Sequence, residues 1–293
     1  MSAVIIDGKA LGLKIRESVK TRAAALKAKG IVPCLAVVLV GEDPASLSYV
    51  KSKENALTEA GMESHDIRLP ESTSEEQLLS IIANLNIDKK VHGILVQSPV
   101  PKHINEEKVI ASIIPQKDVD CFHPVSVGNM ILERPGFLPC TPHGILMLLR
   151  EYNIPVSGAN VVIVGRSNIV GKPLANLLVR REYNATVTLC HTGTKDLAYY
   201  TLQADILISA VGKPSIIKPD MVKEGAAVID VGINRLADTT AKKGYIVCGD
   251  VDPAVAQKAS FFTPVPGGVG PMTIAMLLQN VIEAAQTSAE CGG

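Results

Sequence analysis

The chain has no tryptophan, only four phenylalanines and six tyrosines. A ligand with a flat ring would find few side chains here to stack on. Charge imbalance is also missing, since 29 lysines and arginines meet 29 aspartates and glutamates. A neutral chain carries no electrostatic footprint for nucleic acid or for an anionic membrane. The six cysteines, Cys34, Cys121, Cys140, Cys190, Cys248 and Cys291, include no CxxC pair. That spacing excludes a zinc knuckle and a thioredoxin motif, and no bound metal is expected. Cys34 and Cys190 sit in apolar runs and read as buried free thiols. No apolar run approaches a membrane span. The opening MSAVIIDGKALG reaches Asp7 too soon for a signal peptide and is neither Arg-rich nor Ser-rich like a transit peptide. Internal repeats and low-complexity segments are absent too. A cytoplasmic globular protein is the expectation.

What is present suits a packed α/β protein. Of 293 residues, 47% are hydrophobic and 20% charged, and the length fits two domains. Short apolar runs alternate with amphipathic stretches of helical length, the rhythm of βαβ units around a mostly parallel sheet. Strands are expected at 34–40, 65–69, 91–97, 161–164, 186–190, 205–210 and 226–231. Asp43-Pro44 opens a helix, with aspartate as N-cap and proline in the first helical position, and Gly61 stops it. Further helices are expected near 74–86, at 144–152, led by Pro173, and at 272–286, with the tail SAECGG frayed. Pro115, Pro124, Pro135, Pro139 and Pro142 mark 115–142 as the region where a first domain, 1–140, gives way to a second, 141–271.

The second domain opens with VVIVGRSNIVGKPLANLL: a strand, a loop from Gly165 to Gly171, and a helix. Backbone N–H groups at a helix N-terminus facing an anion are what a dinucleotide-binding turn needs. Ser167 stands where a strict GxGxxG has its second glycine. Ala210-Val211-Gly212, Asp230-Val231-Gly232 and Gly249-Asp250 put further glycines at strand ends, beyond which ligands lie in an open α/β sheet. The pattern indicates a Rossmann domain and a nicotinamide enzyme that oxidises a small substrate held between two domains. NAD enzymes place a carboxylate at the end of the second strand for the ribose 2′-hydroxyl. Here that strand ends Cys190-His191-Thr192. A hydroxyl at Thr192 and a cation at Arg166 suit a 2′-phosphate, so NADP is favoured.

In the first domain Tyr49 and Lys53 stand four apart on one helix and share a face. Gln97 ends the strand VHGILVQ, and Asp120 lies in the loop QKDVDCFHP. Singly, each is more simply an exposed lysine, an edge glutamine or a turn aspartate. Together, ASLSYVKSKENA, VHGILVQSPVP, QKDVDCFHPVSVGN, PCTPHG, VVIVGRSNIVGKP and TPVPGGVGPMT resemble the bifunctional methylenetetrahydrofolate dehydrogenase/methenyltetrahydrofolate cyclohydrolase family. The likeness runs from the DGK at residue 7 to the last helix. It implies NADP-dependent oxidation of 5,10-methylenetetrahydrofolate to the 5,10-methenyl form, then hydrolysis to 10-formyltetrahydrofolate at the same site. It also implies a homodimer, with the last helix, 272–293, packing back on the first domain.

By the same resemblance Lys53 is the catalytic lysine of the YVxxK helix, Tyr49 its stacking neighbour, and Gln97 the glutamine that positions and tunes the amine. Asp120 binds the pterin, and a carboxylate can accept two parallel hydrogen bonds from that ring. Pro266, Gly267 and Gly268 line the join between folate and nicotinamide. Cofactor contacts fall to Gly165, Arg166, Ser167, Ile169, Gly171, Thr192, Gly212, Gly232 and Ile233. Three positions depart from the family pattern: Cys121 replaces a usual glycine, Ser126 a common asparagine, and Thr192 a frequent serine. A side chain at Cys121 is expected to shift the loop carrying Asp120 and weaken pterin binding. The rival readings are a shikimate-type two-domain dehydrogenase, which would not require VQSP or PGGVGPMT, and a non-catalytic nucleotide-binding relative, which would not keep Lys53, Gln97 and Asp120.

Overall fold

Seven consecutive apolar residues, Cys34–Val40, are all buried. A strand covered on both faces requires such a run. In the computed structural model, which describes residues 3–238, 240–241 and 244–291, this strand is the centre of a three-stranded parallel sheet. Glu63–Leu69 flanks it on one side and Gly93–Val96 on the other. The helices Pro44–Glu59 and Glu75–Ile87 link these strands. Asp43 caps the first, its Oδ1 accepting the Ser46 N–H at 2.7 Å. Ser74 and Gln77 form a reciprocal capping box on the second, which satisfies two otherwise orphaned N–H groups.

The second sheet has six strands, all parallel, in the order Val4–Ile5, Phe261–Phe262, Ala227–Asp230, Ile206–Ser209, Asn160–Val164, Thr186–Cys190. From Asn160–Val164 the chain goes first to one side, to Thr186–Cys190, and then to the other, to Ile206–Ser209. That reversal is a topological switch point, and ligands bind beyond the carboxyl ends of strands there. A two-stranded antiparallel hairpin, Asn234–Ala237 with Tyr245–Cys248, follows the strand Ala227–Asp230.

The chain divides into two units: Met1–Gly12 with Cys140–Thr273, and Leu13–Pro139 with Ile274–Gly293. The segment up to Gly12 therefore belongs with the six-stranded sheet, to which Val4–Ile5 adds a strand, and not with the unit that follows it. Pairing explains this, since Val4 and Ile5 lie in register with Phe261 and Phe262. The last helix spans Val269–Cys291, so SAEC is helical instead of frayed, while Gly292 and Gly293 lie outside the described residues. Its buried Asn280 donates from Nδ2 to Val119 O at 2.7 Å and Leu138 O at 2.9 Å. Other boundaries shift by a few residues. The helix expected from 144 starts at Cys140, and the strand expected at 91–97 is Gly93–Val96. One long helix, Gly8–Lys27, has no counterpart among the expected elements. No helix among the described residues is long and apolar enough to cross a membrane.

Candidate active site

Helix Pro44–Glu59 carries Tyr49 and Lys53 one turn apart, and Gln97 follows directly on the strand Gly93–Val96. The structure joins two of these. Lys53 Nζ donates to Gln97 Oε1 at 3.0 Å, and Gln97 Nε2 donates to the Ser98 carbonyl at 2.7 Å. Because Ser98 occupies the amide nitrogen, the glutamine turns its oxygen to the lysine. The half-buried amine is thus held by a neutral acceptor. Tyr49, one turn before Lys53 on the same helix, is 42% exposed.

Asp120 is half-buried in the turn after the short helix Pro115–Lys117. The first aspartate of the same KDVD segment has a different task. Asp118 is 4% exposed, and its carboxylate accepts the N–H groups of Phe122 at 3.1 Å and His123 at 2.8 Å. It is an internal clamp on the turn, and sequence reasoning passed over it. Val119, buried between the two, leans on Gly93, where an added Cβ would lie 2.8 Å from its Cγ1.

Cys121 sits next in the chain at φ +60° and fully buried, its Sγ donating to the Phe137 carbonyl at 3.1 Å. A left-handed backbone explains a glycine preference there, and a non-glycine residue in it costs about 1–2 kcal/mol. Cys121→Gly should therefore be about 1 kcal/mol more stable than Cys121→Ala, since both lose the thiol contact but only glycine relieves the strain. Denaturant unfolding of the two variants checks this. Alanine equal or superior to glycine would refute it.

The dinucleotide segments gather on one edge of the six-stranded sheet. Gly165 follows the strand Asn160–Val164, Thr192 follows Thr186–Cys190, Gly212 follows Ile206–Ser209, and Gly232 follows Ala227–Asp230. Arg166, Ser167, Ile169, Thr192, Gly212 and Ile233 are exposed on that edge, while Gly232 is buried. Two glycines are required by close approach. A Cβ at Gly171 would lie 1.9 Å from the Gly165 carbonyl oxygen, and one at Gly165 (φ +121°) would lie 2.2 Å from the Ala210 oxygen. Ser167 stabilises the turn, its Oγ accepting the Val170 N–H at 3.1 Å. The cradle thus brings a helix start onto two strand ends with no side chain between, which fits a dinucleotide pyrophosphate.

Further along the edge, a cavity of about 140 Å³ lies between the turn at Gly232-Ile233 and the turn Pro264–Pro271. Pro266, Gly267 and Gly268 are in its wall. The same turn packs on the DGK segment, with Lys9 N–H donating to the Gly267 carbonyl at 3.0 Å. A Cβ at Gly8 would lie 1.8 Å from the Gly268 oxygen.

Two buried carboxylates brace this edge. Asp230 accepts the N–H groups of Gly232, Asp250 and Val251, each at 2.9 Å. Asp250 accepts those of Val211 at 2.7 Å, Gly212 at 3.1 Å and Lys213 at 2.9 Å, and the Asn234 Nδ2 at 3.0 Å. Burial raises Asp230 from 3.8 to about 6 against the pull of its backbone donors, with Asp250 adding to the rise.

His143, on the helix Cys140–Glu151 of the same unit, moves the other way. Its Nδ1 is enclosed without a partner, and burial lowers it from 6.5 to about 4. A lowered histidine contributes stability present above the unfolded value and lost as pH falls through about 4. A raised aspartate contributes stability present below 3.8 and lost as pH rises through about 6. The two oppose each other over one acid window. His143→Leu removes only the acid-labile part, so it should keep up to about 3 kcal/mol more of its neutral-pH stability at about pH 4. Urea unfolding at the two pH values measures this. A variant as acid-sensitive as the parent would refute it.

Two family models match the chain in order. The tetrahydrofolate dehydrogenase/cyclohydrolase catalytic domain covers residues 6–120, and the NAD(P)-binding domain of the same family covers residues 139–289. A bifunctional protein FolD from Exiguobacterium sibiricum is 58% identical over 97% of this chain and 100% of its own. The bifunctional FolD dehydrogenase/cyclohydrolase structure from Campylobacter jejuni is 51% identical, with a TM-score of 0.93 over 98% of this chain and 99% of that one. The Trypanosoma brucei FolD, complexed with NADP cofactor and inhibitor, is 38% identical at a TM-score of 0.94 over 99% of each chain. A shikimate dehydrogenase from Aquifex aeolicus, at 14% identity and a TM-score of 0.52, shares the fold alone. Matched end to end at such identity, the chain belongs to the tetrahydrofolate dehydrogenase/cyclohydrolase family.

Proposed function

We propose that this chain oxidises 5,10-methylenetetrahydrofolate with NADP and hydrolyses the resulting 5,10-methenyl form to 10-formyltetrahydrofolate. The observation that carries the reading is the Lys53–Gln97 contact of 3.0 Å in a chain that also has a glycine-lined dinucleotide cradle. The amine is held by the Gln97 amide oxygen, where it can serve the proton movements of the hydrolysis. Asp120, half-buried in the turn that Asp118 clamps, is the anchor for the pterin ring. Tyr49 offers the face on which that ring stacks. Together Tyr49, Lys53, Gln97 and Asp120 bind and orient the folate.

Gly165, Ser167, Ile169 and Gly171 would hold the pyrophosphate of NADP, and Arg166 with Thr192 its 2′-phosphate. Gly212, Gly232 and Ile233, with Pro266, Gly267 and Gly268, would enclose the nicotinamide end. When bound, NADP supplies the acceptor for the hydride that leaves the methylene carbon. Gly267 and Gly268 keep that wall of the cavity free of side chains.

The reading includes the domain assignment, 1–140 with the last helix for folate and 141–271 for NADP, amended by the sheet pairing of Val4–Ile5. A homodimer in the cytoplasm is part of it. Buried free thiols at Cys34, Cys121, Cys140 and Cys190 suit a reducing compartment, and sedimentation would give the oligomer.

The experiment is a spectrophotometric assay with 5,10-methylenetetrahydrofolate, comparing NADP with NAD in the parent chain and in Arg166→Ala. The variant should raise KM for NADP about tenfold to a hundredfold, the loss of one charge-assisted contact of about 1.5–3 kcal/mol, and leave NAD use nearly untouched. Equal impairment with both would assign Arg166 to structure. No oxidation by the parent chain would overturn the reading itself.

A further inference from the structure

Asp230 and Asp250 are 2% and 0% exposed, and among the described residues neither enters an ion pair. Two unpaired carboxylates in one apolar interior cost several kcal/mol each unless donors converge on them. Here the donors do converge, and where they come from is informative. Asp250 collects three successive N–H groups, Val211 to Lys213, from the turn beyond the strand Ile206–Ser209. It also takes the side-chain amide of Asn234, which lies just past the next turn. Asp230 takes the Gly232 N–H in that next turn and the N–H groups of Asp250 and Val251. One carboxylate thus ties together the turns at the ends of two adjacent strands, and the other ties that carboxylate to the sheet.

The geometry points to Asp250 as a positioning residue for the nicotinamide half of the cofactor, acting through the turns Val211–Lys213 and Gly232–Asn234. In a switch-point crevice the pyrophosphate lies at the first turn and the adenosine ribose beyond the second strand. Here these are Gly165–Gly171 and Thr192, so the nicotinamide extends the opposite way, over the two turns that Asp250 holds. The close fit is mutual. A Cβ at Gly232 would lie 2.1 Å from Asp250 Oδ1, and one at Gly249 would lie 1.8 Å from Asp230 Oδ2. Replacing the Asp250 carboxylate with an amide turns an NH₂ onto backbone N–H donors and releases part of the brace. The inference rests on the proposed dehydrogenase reading and assigns a residue to one half of it, since hydrolysis of the methenyl form consumes no dinucleotide.

The test takes the full chain with Asp250→Asn and, as a milder release, Asn234→Ala. KM and kcat are measured with NADP and with NAD, beside the rate of methenyltetrahydrofolate hydrolysis. Asp250→Asn should raise KM for both dinucleotides by the same factor, about tenfold or more, with hydrolysis within about twofold of the parent. Asn234→Ala should shift KM the same way by less. The common factor separates this role from Arg166, whose loss is felt with NADP alone. Unchanged KM, or equal loss of both activities in step with thermal stability, would leave Asp250 a purely structural group and overturn the inference. If Asp250→Asn does not fold, Asn234→Ala decides: raised KM with intact hydrolysis supports the role, unchanged KM refutes it. A parent chain without NADP-dependent oxidation would instead be the failure of the functional reading.

Discussion

Lys53→Met should cut the hydrolysis of 5,10-methenyltetrahydrofolate by about 10²–10⁴-fold, the range that one positioned acid–base group contributes. Oxidation of the methylene form should fall less, or mainly through altered binding. The asymmetry follows from what each step asks of the chain. In hydrolysis, water adds to the methenyl carbon, one of its protons ends on the ring nitrogen that leaves, and the other is released. A group must take and return a proton within reach of that carbon. Hydride transfer asks chiefly for placement.

The surroundings of Lys53 match the first demand. Its acceptor, Gln97 Oε1 at 3.0 Å, is an amide oxygen whose own nitrogen is committed to Ser98. The glutamine can orient the amine but cannot pair with it as an ion. Gln97→Glu supplies a second arm, because a carboxylate there would pair with the lysine as an ion and should also depress hydrolysis. Both reactions are assayed on folded protein. Hydrolysis near the parent rate in Lys53→Met would make Lys53 an ordinary helical lysine and remove the assignment.

The parts of this architecture that a sequence displays are those written in contiguous residues. CLAVVLV and VVIV are apolar without interruption because both faces of their strands are covered. The Asp43-Pro44 start and the strand-to-helix turn at Gly165 are local chemistry as well. What stays hidden depends on partners far apart in the chain. Helix Gly8–Lys27 contains Gly8 and Gly12, which helix propensity penalises. Gly8 is there because the Gly268 carbonyl passes where its Cβ would be, and Gly12 packs on Pro271.

The same distance conceals the buried acids. Sequence reading sees glycines at the strand ends near 212, 232 and 249, but not that Asp250 gathers the N–H groups of residues about forty positions earlier. A KDVD segment offers two aspartates, and only the fold separates the buried clamp, Asp118, from the half-buried Asp120. Cys121 lies between the two cases. Its departure from glycine is visible in the sequence, and the left-handed backbone supplies the reason glycine suits the position.

Gly171→Ala should raise KM for NADP by two orders of magnitude or more and destabilise the dinucleotide-binding unit by about 3 kcal/mol or more. The added Cβ would lie 1.9 Å from the Gly165 oxygen, 2.7 Å from its carbonyl carbon and 3.1 Å from the Arg166 Cα. All three are backbone atoms, so no flexible side chain can swing aside. Gly165 cannot retreat either, because the Ala210 oxygen already lies where its own Cβ would be, at 2.2 Å. The helix start must then move off the strand end, and the N–H groups proposed to face the pyrophosphate move with it. Gly158→Ala, in the same unit but outside the proposed cofactor site, is the internal control for this steric argument. Its φ of +76° makes alanine uncomfortable, but nothing lies within 4 Å of the new Cβ. That variant should lose only about 1 kcal/mol. Dinucleotide titration and thermal unfolding of both variants separate the two effects. Methenyltetrahydrofolate hydrolysis should survive in Gly171→Ala wherever the folate-binding unit stays folded. Parent-like NADP binding by Gly171→Ala would show that the cradle yields, and the turn at Gly165–Gly171 would lose its place as the pyrophosphate site.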